Sequence, residues 1–381
     1  MKNNTWKEYF LAQITLPINR LVRDKSIVAL SISAKTGFVP QVEKFGRDIS
    51  GEQYKKYILL RRGDFAYNKG NSYTYPQGCV YRLESYDEAA VPNVFECFYA
   101  DEKIVFPLFL KQYFKANLYG KQLFRLINSG VRNNGLLNLS SRDFYSIKLR
   151  LPLIEEQRKI VEVLETWDKA ITLTKQLIEQ KELQKKYLMQ QLLTGRTRLK
   201  GFTDMWQNVR LKQICSIKKG QQLNTNTLIK KGQYACLNGG IIPSGYTTKW
   251  NTEAKTISIS EGGNSCGYVN WNDARFWAGG HCYTLANVKM HDSFLYFLLK
   301  NQERHIMNLR VGSGLPNIQL SSLENLLLKI PGRQKEQQAI AEVFSSANKE
   351  IYLLKQKLAK LEEQKKGLMQ ILLTGKIRLV K

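Results

Sequence analysis

The chain has 381 residues, of which 43% are hydrophobic, and it carries a formal net charge of +26 at pH 7. This length supports two domains of ordinary size, and the apolar content excludes wholesale disorder. The positive charge indicates a polyanionic partner, because so much like charge repels itself unless it meets a counter-charge, and nucleic acid is the natural candidate. Six cysteines without CxxC spacing predict reduced thiols, and the lack of a long apolar run predicts a cytoplasmic protein.

Residues 1–151 form the first of four predicted segments. Short alternating runs rich in Gly, Asn, Ser and Tyr predict strands joined by polar turns, with a helix at 107–118. Two turns, at 67–73 and 129–135, carry residue types suited to DNA. Asn and Arg side chains can distinguish base edges, whereas Lys and Ser suit phosphates. The candidate DNA-binding residues in this segment are Lys69, Asn71, Ser72, Tyr73, Arg132, Asn133 and Asn134.

Residues 152–200 are predicted to contain a long helix. Pro152 and the acidic residues that follow it are typical of a helix start. The run Leu-Leu-Thr-Gly closes the pattern, and Gly195 lies where a residue in the left-handed conformation ends a helix. About 38 helical residues, rising 1.5 Å each, make a rod about 57 Å long, which exceeds a typical globular helix.

Residues 201–330 form a second segment of strands and polar turns. Strands are predicted at 209–214 and 256–260, and a helix at 293–300. Its glycine-flanked turns supply the remaining candidate DNA-binding residues, which are Lys218, Lys219, Gln221, Asn238, Tyr246, Lys249, Asn264, Ser265 and Arg310. Each such turn is also ordinary turn chemistry, so plain structural turns are the alternative. His281 and Cys282 are neighbours on a predicted strand and point to opposite faces, which argues against a metal site.

Residues 331–381 repeat the first long helix. Residues 156–199 and 336–379 share about 23 of 44 positions without a gap. Apolar residues step by four and three from Ile340 to Leu372, interrupted at Lys365, as in a coiled-coil seam. Lys365 and its equivalent, Lys185, either fix the register of a paired seam or lie in solvent. The repeat predicts an antiparallel coiled coil of the two helices, although two independent helices that bind other proteins are an alternative.

The predicted fold class is therefore α+β, with two globular domains, two long helices and internal pseudo-twofold symmetry. No pattern indicates catalysis: the chain lacks the GxxxxGKS/T phosphate loop, and its three histidines have no acid at a readable spacing. The glycine-rich stretch at 312–317 also misses the last glycine of the dinucleotide-binding fingerprint. We expect a non-catalytic protein without a metal or a cofactor of its own.

This order of segments resembles the specificity subunit of type I restriction–modification enzymes. The duplicated Leu-Leu-Thr-Gly helix is the most specific feature, and the stretches 63–69, 276–282 and 312–318 add to the likeness. The resemblance implies that 1–151 and 201–330 are target recognition domains, each reading one half of a bipartite, asymmetric DNA sequence. The helices would set the unread gap between the two halves.

The resemblance also implies partners, because the chemistry of these enzymes belongs to other subunits. Two modification subunits would bind S-adenosylmethionine and methylate adenine in double-stranded DNA. Restriction subunits would add ATP-dependent translocation and cleavage. Two other functions stay open: an enzyme whose active site lies within the divergent segments, and a coiled-coil scaffold that binds nucleic acid without sequence preference.

Overall fold

The computed structural model describes residues 6–47, 51–70, 75–127, 137, 139–312, 314 and 316–379. The chain divides into two compact units, Met1–Thr174 with Lys357–Lys381, and Lys175–Gln356. We name these unit 1 and unit 2. Each unit combines one of the two divergent segments with parts of both long helices.

Unit 1 is made of short strands and short helices, followed by the start of a long helix. Its strands are β1 (Lys7–Phe10), β2 (Thr15–Pro17), β3 (Leu30–Ser33), β4 (Gly37–Pro40), β5 (Ile58–Arg61), β6 (Phe65–Asn68), β7 (Cys79–Arg82), β8 (Glu88–Val91), β9 (Glu96–Ala100) and β10 (Lys148–Leu151). Its helices are α1 (Leu11–Ile14), α2 (Gln41–Phe45), α3 (Pro107–Lys115), α4 (Gly120–Leu126), α5 (Ser141–Tyr145) and the beginning of α6 (Ile154–Leu192), with a 3-10 turn at Gly51–Lys56.

The main sheet of unit 1 has the antiparallel strand order β2-β9-β6-β7. Two-stranded pairs, β1-β10, β3-β4 and β5-β8, complete the unit. Stacked aromatic rings fill its core: Phe65 lies on Phe98 with ring centroids 5.3 Å apart, and Tyr67 lies on Phe144 at 4.3 Å. Such ring pairs add about 0.5–1.5 kcal/mol each beyond simple burial, so they help to hold β9 and α5 against β6.

Unit 2 has a closely related set of elements. Its strands are β11 (Trp206–Arg210), β12 (Ser216–Lys219), β13 (Tyr234–Leu237), β14 (Gly245–Thr247), β15 (Thr256–Ser260), β16 (Val269–Asn272), β17 (Phe276–Ala278), β18 (Cys282–Ala286) and β19 (Leu327–Pro331). Its helices are the end of α6, α7 (Leu211–Ile214), α8 (Asp292–Asn301), α9 (Glu303–Asn308), α10 (Leu320–Glu324) and the beginning of α11 (Gln334–Leu372), with a 3-10 turn at Thr225–Thr227.

The main sheet of unit 2 repeats the topology of unit 1. Its antiparallel order β12-β18-β15-β16 is the order β2-β9-β6-β7 in the equivalent strands, and β11-β19 matches β1-β10. A three-stranded sheet, β14-β13-β17, lies beside it and contains one parallel pair. The mixed α+β class is therefore confirmed, and the two units share one strand order despite their divergent sequences.

The strand predicted over 209–214 is wrong in its second half. Strand β11 ends at Arg210, and Leu211–Ile214 form the short helix α7. The side chain of Gln213 accepts a hydrogen bond from the Arg210 backbone N–H at 2.6 Å and turns the chain. Both Leu211 and Ile214 are buried, as their spacing of three residues on one helix face allows.

In unit 1, the two long helices run antiparallel. Near the start of α6, the buried carboxylate of Glu156 pairs with Arg378, which follows the end of α11, at 2.6 Å. Further along α6, Asp168 pairs at 2.6 Å with Lys365, which precedes Arg378 in the chain. The Lys365 side chain is 5% exposed, so this lysine lies inside the seam and does not lie in solvent.

In unit 2, the same helices are again antiparallel. Arg198, after the end of α6, binds Glu336 at the start of α11 through two hydrogen bonds of 2.6 and 2.7 Å. Lys181, earlier in α6, pairs with Glu350 at 2.8 Å. Each long helix has 39 residues, which gives a length of about 58 Å. The prediction of long antiparallel helices is thus confirmed within each unit.

Several smaller predictions are also confirmed. Gly195 and Gly375 have φ of 72° and 73°, the left-handed conformation predicted after each helix. All six cysteines are buried and free. Within the described ranges, we find no helix that is long and apolar enough to cross a membrane.

Candidate nucleic-acid interface

Five turns of unit 2 meet where β12, β13, β15 and β17 end and β18 begins. Backbone hydrogen bonds join them directly: Gln221 N–H donates to Ala278 O at 2.8 Å, and Gly279 N–H to Leu237 O at 2.8 Å. We name these turns the turn cluster, defined as residues 219–221, 238–240, 261–266, 278–281 and 310–317 apart from 313 and 315.

The last of these turns is attached to the turn at 261–266 through residues 261–263. The Ile318 N–H donates to Glu261 O at 2.8 Å, and the Gly263 N–H donates to Pro316 O at 3.0 Å. Asn317 also forms a bridge with Gly262. The turn at 310–317 is therefore held beside the turn at 261–266, although about fifty residues separate them in the chain.

Close backbone approach explains why glycines occur here. A Cβ atom on Gly220 would lie 2.3 Å from the carbonyl oxygen of Gly279, so no side chain fits at this position. Gly239 has φ of 81°, a conformation that L side chains rarely adopt. Glycine is thus required by packing at position 220 and favoured by the backbone conformation at position 239.

A buried carboxylate organises the charge in the turn cluster. Glu261 Oε1 accepts hydrogen bonds from Lys219 Nζ at 2.6 Å and from the Tyr283 hydroxyl at 3.1 Å. Glu261 Oε2 lies 3.5 Å from Nδ1 of His281. Burial, followed by the negative charge of Glu261, raises the pKa of Tyr283 to about 12, so this hydroxyl stays protonated and donates to the carboxylate.

The turn cluster brings together most of the candidate residues that the sequence placed in this segment. They are Lys219, Gln221, Asn238, Asn264, Ser265 and Arg310. Gln221, Asn264 and Arg310 are exposed, so their amide and guanidinium groups are free to meet a ligand in the described structure. Burial raises the pKa of the Cys266 thiol, and the positive charge of Arg310 opposes this shift.

The structure does not bring three other candidates into the turn cluster. Lys218 precedes Lys219 on β12 and therefore points to the other face of the sheet. There it lines a separate cleft with Asn251 and Thr256. Tyr246 lies on β14, whose partner is β13, and Lys249 lies in the turn that follows. Their role as DNA contacts stays a prediction without support from the cluster.

Of the candidate residues of unit 1, only Lys69 lies within the described residues. Lys69 Nζ forms an ion pair with Glu96 at 2.7 Å, and both side chains are 18% exposed. The positive charge of Lys69 is therefore already balanced by a carboxylate within unit 1. Asn71, Ser72, Tyr73, Arg132, Asn133 and Asn134 lie outside the described residues. The backbone N–H of Leu137 donates to Lys69 O at 3.1 Å, so these two described residues lie side by side.

Sequence reasoning missed Glu261, His281 and Asn317 as members of the site. The sequence does contain a weak signal, because Glu261 directly precedes a Gly-Gly-Asn turn. The pairing of Glu261 with His281 had no signal, because it depends on the antiparallel contact between β15 and β18. The resulting surface offers amide, imidazole, ammonium and guanidinium groups, which is the set of groups that contacts bases and phosphates in DNA.

Comparison with known proteins identifies the family. A family model described as type I restriction modification DNA specificity domain matches residues 49–183 and 203–363. A Mycoplasma genitalium protein named as a type I specificity subunit is 35% identical over 143 residues, and this match covers 37% of each chain. The specificity subunit of the type I restriction enzyme MjaVIII from Methanocaldococcus jannaschii is 25% identical over 287 residues, or 66% of this chain and 67% of that one.

Solved structures show the same fold over nearly the whole length. The S subunit of a type I restriction–modification system from M. genitalium has a TM-score of 0.62 at 15% identity, covering 98% of this chain and 97% of that chain. A chain from a study of assembly in the type I restriction–modification system has a TM-score of 0.63 at 18% identity and 98% coverage of both. The two matches to the family model together cover most of the 381 residues of this chain. The chain therefore belongs to the family of type I restriction–modification DNA specificity subunits.

Proposed function

We propose that this chain recognises a bipartite, asymmetric DNA sequence and directs adenine methylation and restriction by partner subunits. Residues 1–151 and 201–330 serve as the two target recognition domains, one for each half of the sequence. Residues 152–200 and 331–381 contain the spacer helices. The chain itself performs no chemistry in this proposal, and its cytoplasmic location follows from that of its DNA target.

The observation that carries this proposal is one scaffold used twice with different turns. The strand order β2-β9-β6-β7 recurs as β12-β18-β15-β16. Most of the residues in the turns differ between the two units, although the run Gly-Asn-Ser occurs at both 70–72 and 263–265. Turns on a rigid scaffold can diverge without loss of the fold, and base readout depends on the identity of such exposed side chains. Two different readers on equal scaffolds suit a target whose two halves differ.

The partners follow from the family and from the charge of the chain. Two modification subunits that bind S-adenosylmethionine and ATP-dependent restriction subunits supply the chemistry that the sequence motifs do not provide here. The net charge of +26 favours double-stranded DNA as the ligand of the assembled complex. Lys, Arg and backbone amides would hold phosphates and set the register for the base contacts.

A domain exchange tests the proposal directly. Residues 201–330 are replaced by the equivalent segment of a relative, and methylated adenines are mapped across the genome of cells that also produce the partner subunits. We expect one half of the recognised sequence to change, while the other half and the gap stay as they were. A change in both halves, or in neither, would refute the modular account.

Two experiments with the native chain address the two alternatives. A scaffold without sequence preference would yield no defined methylation motif with the native chain. An enzyme with its own active site would methylate or cleave DNA when purified without partners. Either result would replace the proposed function.

Alanine variants test the assignment of individual residues. We expect substitution of Asn264 or Arg310, and of Arg132, Asn133 or Asn134 in unit 1, to relax specificity by about 1–3 kcal/mol wherever the native side chain forms a bidentate hydrogen-bond pair with a base. Arg304→Ala is a matched control in unit 2, since this exposed arginine lies on α9, outside the turn cluster. Equal weakening on all DNA sequences would instead assign a residue to phosphate binding.

Spacing is tested by lengthening the helices. Four residues are inserted after Gln180 and after Lys360, the equivalent position of the repeat. Four helical residues add about 6 Å, or roughly two base pairs, so we expect a longer unread gap with both half-sites intact. An unchanged gap would show that another part of the molecule determines it.

A further inference from the structure

His281 occupies a fixed position at the surface of the turn cluster. Its backbone N–H donates to Asn238 Oδ1 at 3.1 Å, and its carbonyl oxygen accepts from the Glu261 N–H at 3.0 Å. The imidazole itself is 63% exposed. Thus the backbone holds the residue rigidly, while the ring is free to meet a ligand.

The carboxylate beneath the ring has one oxygen that lacks a donor. The Glu261 side chain is only 9% exposed. Its Oε1 accepts hydrogen bonds from Lys219 Nζ and the Tyr283 hydroxyl, but its Oε2 has no hydrogen-bond partner in the described structure. A buried carboxylate oxygen without a donor is unfavourable, and the Nδ1 atom of His281, at 3.5 Å, is the group that faces it. A small rotation of the ring brings the two atoms within hydrogen-bond distance.

This arrangement selects one tautomer of the neutral ring. A proton on Nδ1 satisfies Glu261 Oε2, and the exposed nitrogen, Nε2, then carries a lone pair and accepts hydrogen bonds. In the major groove, acceptors on a protein pair with the exocyclic amino groups of adenine N6 or cytosine N4. Protonation of Nε2 would turn it into a donor, which fits the acceptor atoms of guanine instead.

We propose that His281 is a specificity-determining residue of unit 2, which accepts a hydrogen bond from an exocyclic amino group of a base in the DNA target. Glu261 is its positioning residue, because it holds the proton on Nδ1. This inference rests on the proposed function and adds the chemistry of one base contact to it. The charged and titratable groups around the pair are Lys219, Tyr283, Cys266 and Arg310.

Base analogues provide the test. Once the recognised sequence is known from methylation mapping, each adenine or cytosine in the half read by unit 2 is replaced in synthetic duplexes by purine or pyrimidin-2-one, which lack the amino group. Binding is measured with the full-length chain in complex with its modification subunits. We expect one position at which loss of the amino group weakens binding by about 10- to 100-fold.

In the His281→Ala complex, removal of the amino group at that position should no longer weaken binding. This complex should bind the natural duplex and the duplex without the amino group equally. Glu261→Gln should lower the discrimination between the two duplexes at that position several-fold. His305→Ala is the matched control: this exposed histidine of α9 lies outside the turn cluster, so discrimination at that position should persist.

Affinity for DNA without the target sequence reports on folding and should be unchanged in every variant. The inference is overturned if no position loses its sensitivity in His281→Ala, or if Glu261→Gln discriminates between the two duplexes as well as the native chain does. A native complex that prefers no sequence at all would instead refute the proposed function, so the two failures are distinguishable.

Discussion

The buried lysine of unit 1 predicts a large and localised effect on stability. Lys365 Nζ lies 2.6 Å from Asp168, which also binds Lys115 Nζ at 2.9 Å and Gln112 Nε2 at 3.1 Å. Burial by itself raises the pKa of Asp168, but Lys365 and Lys115 outweigh this and lower the pKa to about 2. Asp168→Asn removes the charge and leaves a neighbouring ammonium group that is 5% exposed.

The magnitude follows from these interactions. A pKa lowered by roughly two units corresponds to about 2.5 kcal/mol, and solvent screening of a carboxylate that is one-third exposed reduces this to about 1–2 kcal/mol. The stranded lysine adds about 1–2 kcal/mol, because a buried charge loses its partner. We therefore expect Asp168→Asn to lower the free energy of opening of this part of the helix pair by about 3 kcal/mol.

Hydrogen exchange resolved by mass spectrometry measures this locally. Peptides covering 160–171 and 361–372 should lose protection by about 100-fold at neutral pH, while peptides from unit 2 are unaffected. Lys365→Met in the Asp168→Asn background is the control, because it removes the stranded charge and should restore much of the protection. Unchanged protection in the single variant, or an equal loss in the double variant, would refute the reasoning.

The pH dependence of the same pair has a definite sign. The folded-state pKa of Asp168 lies below the ordinary carboxyl value of 3.8, so its stabilising contribution is complete above about pH 4 and is lost as pH falls toward 2. Burial lowers the pKa of Lys365, and the hydrogen bond to the Asp168 carboxylate opposes this shift. Urea denaturation should therefore separate the native protein from Asp168→Asn at pH 7, and the two should converge near pH 2.

Three further predictions concern the repeated helices, each checked by urea denaturation. In the repeat, Asn348 is the equivalent of Asp168 and Lys185 is the equivalent of Lys365, and burial lowers the pKa of Lys185. Asn348→Asp should therefore place a carboxylate near this lysine and stabilise unit 2 by about 1 kcal/mol. No gain in stability would show that the two helix seams differ. Gly375→Ala should destabilise the protein by about 2 kcal/mol and Gly195→Ala by about 1 kcal/mol, because both glycines have positive φ. The losses differ because the new Cβ atom would lie 2.9 Å from a tryptophan ring at position 375 and 3.4 Å from one at position 195. Equal losses would contradict this explanation. Glu336→Gln should lower the free energy of unfolding by about 3 kcal/mol, because this carboxylate is 1% exposed and accepts two hydrogen bonds from Arg198. A loss below about 1 kcal/mol would show that the ion pair contributes little to stability.

Local patterns determined much of the fold in advance. The repeat, the glycines after each long helix and the stepping of apolar residues indicated two long paired helices, and α6 and α11 have 39 residues each. These signals are readable because helix ends and seams depend on residues within a few positions of one another. The strand prediction at 209–214 failed because an alternating pattern does not reveal a side chain, here Gln213, that caps a turn.

The composition of the site depended on interactions between distant parts of the chain. Glycine, asparagine and arginine marked the turns as candidate readers, but whether Lys219 or Lys218 faces the turn cluster was decided by the register of β12 against β18. The pairing of Asp168 with Lys365 spans 197 residues and was equally invisible.

The sequence by itself thus determined that there are two divergent segments, two similar long helices and an excess of positive charge, because each is a property of composition or of short-range pattern. Only the tertiary structure decided which polar groups share a surface and which acids neutralise which lysines. The physical reason is that ion pairs and buried carboxylates depend on distances between atoms, and strand pairing and helix packing set those distances after the chain has folded.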